Sequence, residues 1–528
     1  MILAFALSMG VLLLWQVIFP GSDEQGANVV VQTENPAPLS GRDDLLPSSP
    51  ATDQPVSSIL SGQAPPAVPS GKTDPDPVSL ISWGNDLLTL GIDPDGGAVR
   101  KASLQKYPLT LKPGSMPVMV LSKEDGHATY LAMGLLKQKG KVHFKEVKRD
   151  AHTLLLRADL PDSRVWTRRL SLESGSYLVD IEDQVSGGGA PRLYRQVLEK
   201  DPDLTKDTFY EHNGPISFLN EKLKEVDYKD LSEGKSEQLD VIGGWTGIMT
   251  RYFITAIIPN QAQSYHYYFH SPGNETYQAG LIDDGVQKNG LTVFHTRIYI
   301  GPKSIPVMKK AGVNLERSVN FGWFTVIAKP LHDLLMYLYS YLHNFGWCII
   351  LVVLLIKIVF YWPSKKSYES MAGMRKIQPE VKKLRDLFGD DKQKMGQEMM
   401  ALYKKHKVNP LGGCLPIFIQ IPVFFSLYKV LLISIEMRQA PFIGWIHDLS
   451  VQDPFYVLPI IMGISMLIQQ QLNPAPPDPM QAKLMKFLPV VFTVMFLFFP
   501  AGLVLYWVMN NTLSILQQWY VMKKLNAI

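Results

Sequence analysis

The chain has 528 residues, a formal net charge of +4 and a mean hydropathy near zero. That length allows more than one domain, and the small charge excludes the strongly basic footprint of a nucleic-acid binder. Two cysteines, Cys348 and Cys414, are too few for a disulfide framework and read as small apolar residues.

The average hydropathy hides two halves, soluble in composition over 22–325 and dominated by long apolar runs over 326–528. Residues 1–21 begin MILAFALSMGVLLLWQVIF. This run is longer than the core of a cleaved signal peptide and is followed by no A-x-A-like site, so an uncleaved transmembrane anchor is expected. Residues 22–78 hold ten prolines among Ser, Asp, Gly and Gln. They cannot bury enough apolar surface to order themselves, and are expected to be a disordered linker.

From 79 to 325 short alternating runs are separated by turn signals. Examples are DLLTLGI (86–92), HTLLLRADL (152–160), SYLVDIEDQV (176–185), RYFITAIIP (251–259) and LTVFHTRIYIG (291–301), with DPDGG (93–97), SGGGAP (186–191) and KNG (288–290) between such runs. This pattern predicts an all-β domain, a many-stranded sandwich at that length.

Residues 326–343 place Leu331, Leu334, Leu335, Leu338 and Leu342 at helical spacing with tyrosines among them, which predicts an interfacial amphipathic helix. Apolar spans are then expected at 344–363, 411–435, 455–471, 484–499 and 502–522, with a hairpin turn at Pro500-Ala501-Gly502 between the last two. The loop 364–410 carries twelve Lys/Arg against six Asp/Glu, whereas 437–454 carries only Arg438. The positive-inside rule makes the first loop cytoplasmic and the second external. With six spans both termini are cytoplasmic, including a short tail at 523–528, and the β domain is outside.

Lys357 interrupts an apolar span, at a cost of roughly 2.5–3.5 kcal/mol on insertion scales. Other polar residues sit in the spans: Gln420, Ser465 and Gln469, then Tyr506, Asn510, Ser514 and Gln517 spaced 4, 4 and 3 apart on one helix face. Most of them fall in the cytoplasmic half, while Phe496, Phe498 and Phe499 make the outer half greasy. Two readings of Lys357 stay open at this point. It snorkels to the headgroups, or it lines a polar cavity open to the cytoplasm and closed outside. No Asp, Glu or His lies within spans two to six, which disfavours a proton relay.

The loop 364–410 reads as two helices joined at Gly389-Asp390-Asp391. Met371 and Met374, then Met395 and Met399, lie on their apolar stripes. The stripes serve either to zip the hairpin together or to offer an adaptable client surface. No GxxxxGK[ST], HExxH or CxxC occurs, so no enzyme, cofactor or metal is expected. Solute transport and carbohydrate chemistry remain as readings from other classes.

Four stretches carry a resemblance: FGWFTVIAKPL (321–331), the MAGMRKIQPEVKKLRDLFGDD…NPLGGCLPIFIQIPVFFSLY region (371–428), RQAPFIGWIHDLSVQDPFYVLPIIMG (438–463) and DPMQAKLMKFLPVVFTVMFLFFPAGLVLYW (478–507). With Lys357 they resemble the YidC/Oxa/Alb family of membrane protein insertases, in the Gram-negative form with a large periplasmic domain. The resemblance implies a periplasmic β-supersandwich and five core helices around a hydrophilic groove open to cytoplasm and lipid. It implies a chaperone and insertase for nascent inner-membrane proteins in the bacterial inner membrane, working with or without the Sec translocon and its accessory subunits. Lys357 stands where the family usually has Arg, keeping the charge but not the bidentate fork. Ribosome contact is expected to fall to the basic hairpin, through Arg375, Lys376, Lys382 and Lys383, because the tail KKLNAI is short.

Overall fold

Between 153 and 186 the chain folds as three neighbouring strands, each with every second side chain buried, as the two faces of a pleated strand dictate. The computed structural model describes residues 79–124, 127–138, 140, 142–187, 190–200, 202, 212–388, 391–409, 415–474 and 479–526. The expected anchor 1–21, the linker 22–78 and Cys414 lie outside these residues.

The strands in chain order are β1 (Ile81–Gly84), β2 (Leu88–Ile92), β3 (Val99–Pro108), β4 (Pro117–Glu124), β5 (His127–Leu135), β6 (Lys145–Arg149), β7 (Thr153–Asp159), β8 (Val165–Leu172), β9 (Leu178–Ser186) and β10 (Leu193–Lys200). They continue as β11 (Gly214–Leu219), β12 (Lys222–Glu225), β13 (Glu237–Ile242), β14 (Trp245–Met249), β15 (Phe253–Pro259), β16 (Ser264–Gly273), β17 (Thr276–Asp283), β18 (Val286–Lys288) and β19 (Leu291–Pro302). One sheet has the order β1-β2-β3-β4-β5-β10-β17-β16-β13. The other runs β12-β11-β14-β15-β19-β9-β8-β7-β6, with β18 paired to β19. Every pairing is antiparallel, as between β9 and β19, where Ile181 faces Thr296. The β18–β19 turn places Asn289 at φ 51° and Gly290 at φ 76°, the left-handed pair that a two-residue hairpin loop requires.

Arg168, Asp183 and Arg195 are fully buried in this domain, and Asp283 beside them is nearly so. Asp183 Oδ1 accepts from Trp166 Nε1 and from Arg168 Nε, each at 2.7 Å, and Oδ2 accepts from Arg195 at 2.9 Å. Asp283 lies 3.6 Å from Arg195. Burial raises the Asp283 carboxyl above the usual range, against the pull of Arg195.

The β domain also holds two short helices, α1 (Tyr228–Ser232) between strands and α2 (Ile305–Ala311) after the last strand. The amphipathic stretch is α3 (Thr325–Leu342). Its buried residues Ala328, His332 and Leu335 face the helical region, while Val326, Tyr337 and Tyr341 are exposed. Beyond it come α4 (Phe345–Val359), α5 (Tyr361–Phe388), α6 (Lys392–Lys405), α7 (Leu415–Ile433), α8 (Val457–Leu472), α9 (Pro479–Phe496) and α10 (Ala501–Lys524).

The span expected at 344–363 is not one helix. It stops at Val359 and bends by 69° into α5, which carries Tyr361 to Pro363 in its first turn. Proline explains the break. Pro363 cannot donate to Val359, and its ring would clash with that carbonyl, but in a first turn its missing N–H costs nothing. Among the described residues no single helix is long and apolar enough to cross a bilayer; α4 and α5 meet that test only as a bent pair.

Glycines set two helix contacts. A Cβ on Gly346 would lie 1.9 Å from the Phe442 ring, and one on Gly463 would lie 2.1 Å from Thr493 Oγ1. The first lets the 438–456 segment press on the start of α4, where Asn344 caps the helix and donates to Phe442 O at 2.9 Å.

Candidate functional site

A cavity of about 480 Å³ lies where α4, α5, α7, α8, α9 and α10 converge. Its apolar wall comes from Ile356, Phe360, Val423, Phe424, Met466 and Phe492, among others. Ile421 of α7 and Leu488 of α9 line it and are also exposed, which marks a mouth between these two helices. Its polar wall holds Lys357, Ser364, Tyr368, Gln420, Gln469, Gln470, Asn473, Asn510, Asn511, Ser514 and Gln518.

Lys357 is the one charged side chain among the described residues that line it. It sits in the last turn of α4, and its ammonium donates to Ser514 Oγ at 2.7 Å. Ser514 in turn donates to Asn510 O at 2.8 Å, a bond within α10. The serine proton is thereby committed to a carbonyl, leaving the oxygen lone pairs to the ammonium. Among the described residues no carboxylate forms an ion pair with Lys357.

The other polar groups fall into three sets. Gln420 lines the cavity and donates to Tyr506 OH at 2.8 Å; Tyr506 itself is buried behind the wall. Gln518 Nε2 reaches Asn473 at 3.0 Å and keeps a buried, unpartnered Oε1. Asn511 donates to Ser465 Oγ at 3.1 Å, and Ser465 donates to Met462 O at 2.6 Å. Buried amides and hydroxyls of this kind need such partners.

The cavity thus gathers Lys357, Gln420, Gln469, Asn510 and Ser514 of the residues singled out from the sequence. Ser465 and Tyr506 stand one layer back as hydrogen-bond partners. Gln517 is elsewhere: it is half-buried and donates to Tyr361 O at 3.4 Å. Its neighbour Gln518 faces inward instead. Asn511, Ser514 and Gln518 make a second stripe on α10, spaced 3 and 4, which the sequence also contained and which shares Ser514 with the first. Ser364 and Tyr368 enter only because the chain bends at Phe360.

Away from the bend, aromatic rings close the space. Phe424 meets Trp507 edge-on at 4.8 Å, Phe496 lies 5.2 Å from Trp507, and Phe499 lies 5.1 Å from Phe496. Tyr428 adds a contact to Phe499 at 6.1 Å. The cavity is therefore blind toward the α9–α10 turn.

The helical hairpin of α5 and α6 starts from the cavity. Met371 is buried, lines the cavity, and packs with Tyr368, Val521 and Met374. Arg375 reaches Leu472 O at 3.5 Å, tying α5 to the end of α8. Lys376, Lys382 and Lys383 are exposed, and Met395 and Met399 are half-buried on α6.

Residues 81–334 match the family model described as YidC periplasmic domain, and residues 337–527 match the model described as 60Kd inner membrane protein. A membrane protein insertase YidC from Magnetococcus marinus is 39% identical over 522 residues, covering 94% of this chain and 92% of its own. One from Pseudomonas fluorescens is 40% identical over 481 residues, covering 85% and 84%. A crystal structure of an active YidC insertase with its first transmembrane domain resolved aligns with 84% of this chain and 92% of its own, at 15% identity and a TM-score of 0.39. With two adjoining family models and close relatives spanning nearly its whole length, the chain belongs to the YidC family of membrane protein insertases.

Proposed function

We propose that the chain inserts nascent inner-membrane proteins and assists their folding, and that the cavity at Lys357 receives the hydrophilic part of a client on its way across. The family is one of insertases rather than enzymes, located in the inner membrane with a periplasmic domain. Here the β domain faces the periplasm, the α5–α6 hairpin faces the cytoplasm, and both termini are cytoplasmic.

One observation carries this reading. The Lys357 ammonium is held over a cavity that is polar on the hairpin side, blind on the other, and without a carboxylate partner among the described residues. A fixed positive charge in such a pocket attracts an acidic or polar client segment and lowers its cost of leaving water. The client's apolar segment supplies the driving force, about 25 cal/mol per Å² moved out of water, and no nucleotide is consumed. The Sec translocon with its accessory subunits, the membrane lipids and a translating ribosome are the partners of this reading. Lys376, Lys382 and Lys383 form the exposed basic surface for the ribosome, with Arg375 at its base. Met374, Met395 and Met399 are the adaptable apolar contacts of the hairpin.

The test is insertion of a purified client into vesicles holding the chain. Lys357→Arg should insert normally, since the charge is kept, while Lys357→Ala should slow clients with acidic translocated segments. Normal insertion of all such clients by Lys357→Ala would overturn the role of the charge. A solute channel is the competing class. The rings of Phe424, Trp507, Phe496 and Phe499 stand across its path, and ion flux through the purified protein would support it.

A further inference from the structure

β3 and β4 continue beyond their paired strands into a tip, residues 109–116. Leu109 N–H donates to Met116 O at 2.8 Å, extending the Pro108–Pro117 pairing, so these two side chains project on the same side. Thr110 bonds the Ser115 hydroxyl through both its N–H (2.8 Å) and its own hydroxyl (3.1 Å), and Ser115 N–H donates to Lys112 O at 3.1 Å. The tip is therefore a built turn. Yet its three large apolar side chains, Leu109, Leu111 and Met116, are 56%, 52% and 73% exposed.

The base of this tip is fixed to the segment that crosses the outer ends of the helices. Arg438 donates to Pro108 O at 2.7 Å and to Leu109 O at 3.3 Å, and Gln439 donates to Pro108 O at 3.1 Å. The same segment receives Asn344 at Phe442 O, and Ala501 and Gly502 N–H groups at Val451 O and Leu449 O. It thus caps α4 and α10 on the periplasmic side. Four residues from Leu109 to Lys112 extend at most about 13 Å at 3.3 Å each, so the tip stays within reach of the bilayer's headgroup layer. Lys106 and Lys112 flank the apolar residues. An apolar tip with a basic flank fits an anionic lipid surface.

We propose that the 109–116 hairpin tip dips into the outer leaflet, seating Leu109, Leu111 and Met116 at the headgroup–acyl boundary with Lys106 and Lys112 at the phosphates. It forms a second tether of the β domain, separate from α3. The inference goes beyond the insertion reading and does not depend on the cavity.

The test uses the full chain in vesicles of phosphatidylethanolamine and phosphatidylglycerol, with an environment-sensitive fluorescent amino acid at position 111. The comparison label sits at position 147, where Val147 is 56% exposed on the edge strand β6. Nitroxide-bearing lipids should quench the label at 111 severalfold more than that at 147. Lys112→Gln should lower the ratio of inserted to free tip about fivefold on these vesicles and have no effect in vesicles of zwitterionic lipid alone. Equal quenching at 111 and 147 would overturn the proposal. So would quenching at 111 that appears only when a client or partner protein is added, which would make the tip a protein-docking surface.

Discussion

The ammonium of Lys357 and the hydroxyl of Ser514 lie 2.7 Å apart, on helices 157 residues apart in the chain. A lysine this close to a helix end ordinarily turns its flexible stem toward the headgroups. Here the serine oxygen holds it over the cavity.

The first prediction follows from that bond. Ser514→Ala removes the acceptor and lets the ammonium turn away, at a loss of about 1.5 kcal/mol for one hydrogen bond to a charged group. Insertion of a client with an acidic translocated segment should slow by about tenfold, while Ser514→Thr keeps the hydroxyl and the rate. Initial insertion rates in reconstituted vesicles decide it. Equal rates for Ser514→Ala and the unaltered chain would show that the serine does not position the charge.

Gly346 gives the second. Its ideal Cβ position is 1.9 Å from the Phe442 ring, and the ring is itself clamped by an edge contact to Trp347 at 5.5 Å. Gly346→Ala should destabilise the helical region by about 1–3 kcal/mol, the usual cost of overpacking. Adding Phe442→Leu should recover part of the loss. Thermal unfolding in detergent measures both, and an unchanged midpoint for Gly346→Ala would mean that the 438–456 segment yields freely.

How much of this was legible in the sequence depends on how local the cause is. HTLLLRADL and LTVFHTRIYIG announce strands because alternation is a property of neighbours, and the observed β7 and β19 begin and end within a residue of those runs. The bend at Phe360 is not legible in the sequence because Pro363 reads equally as the end of one helix or the first turn of the next. Only the packing of α5 against α10 decides between them. On α10 the polar residues form two overlapping stripes, 510/514/517 and 511/514/518. Spacing alone ranks them equally, and the burial of Asn511 and Gln518 comes from α8 and the Asn473 amide. The Arg168–Asp183–Arg195–Asp283 cluster left no local trace, since four strands contribute one charge each across 115 residues.

That cluster carries the third prediction. Asp183 accepts from Trp166, Arg168 and Arg195, all buried. Asp183→Asn keeps the shape but leaves two buried guanidiniums with less counter-charge, and removing one partner of such a network typically costs about 3–5 kcal/mol. Asp240→Asn, at an exposed carboxylate bonded to His266, should change stability by less than about 0.5 kcal/mol. The far-ultraviolet β signal of the full chain, followed on heating, separates the two. A small effect of Asp183→Asn would mean that water supplies what the carboxylate does.

The last prediction concerns pH. His295 Nε2 lies 2.8 Å from Asp180 Oδ1 between β19 and β9, and that hydrogen bond raises its pKa above the ordinary 6.5. A raised histidine pKa means that the folded chain binds the proton more tightly than the unfolded one. The stabilisation is fully present below about pH 6.5 and is lost as pH rises through the folded value. Both side chains are nearly half exposed, so solvent screening limits the effect to about 0.2–1 kcal/mol, less at high salt. The melting temperature of the β signal should therefore fall slightly between about pH 6 and pH 8.5. His295→Gln and Asp180→Asn should each flatten that part of the profile by the same amount. If only one of them does, the slope belongs to another titrating group, because a proton shared by this pair vanishes whichever partner is removed.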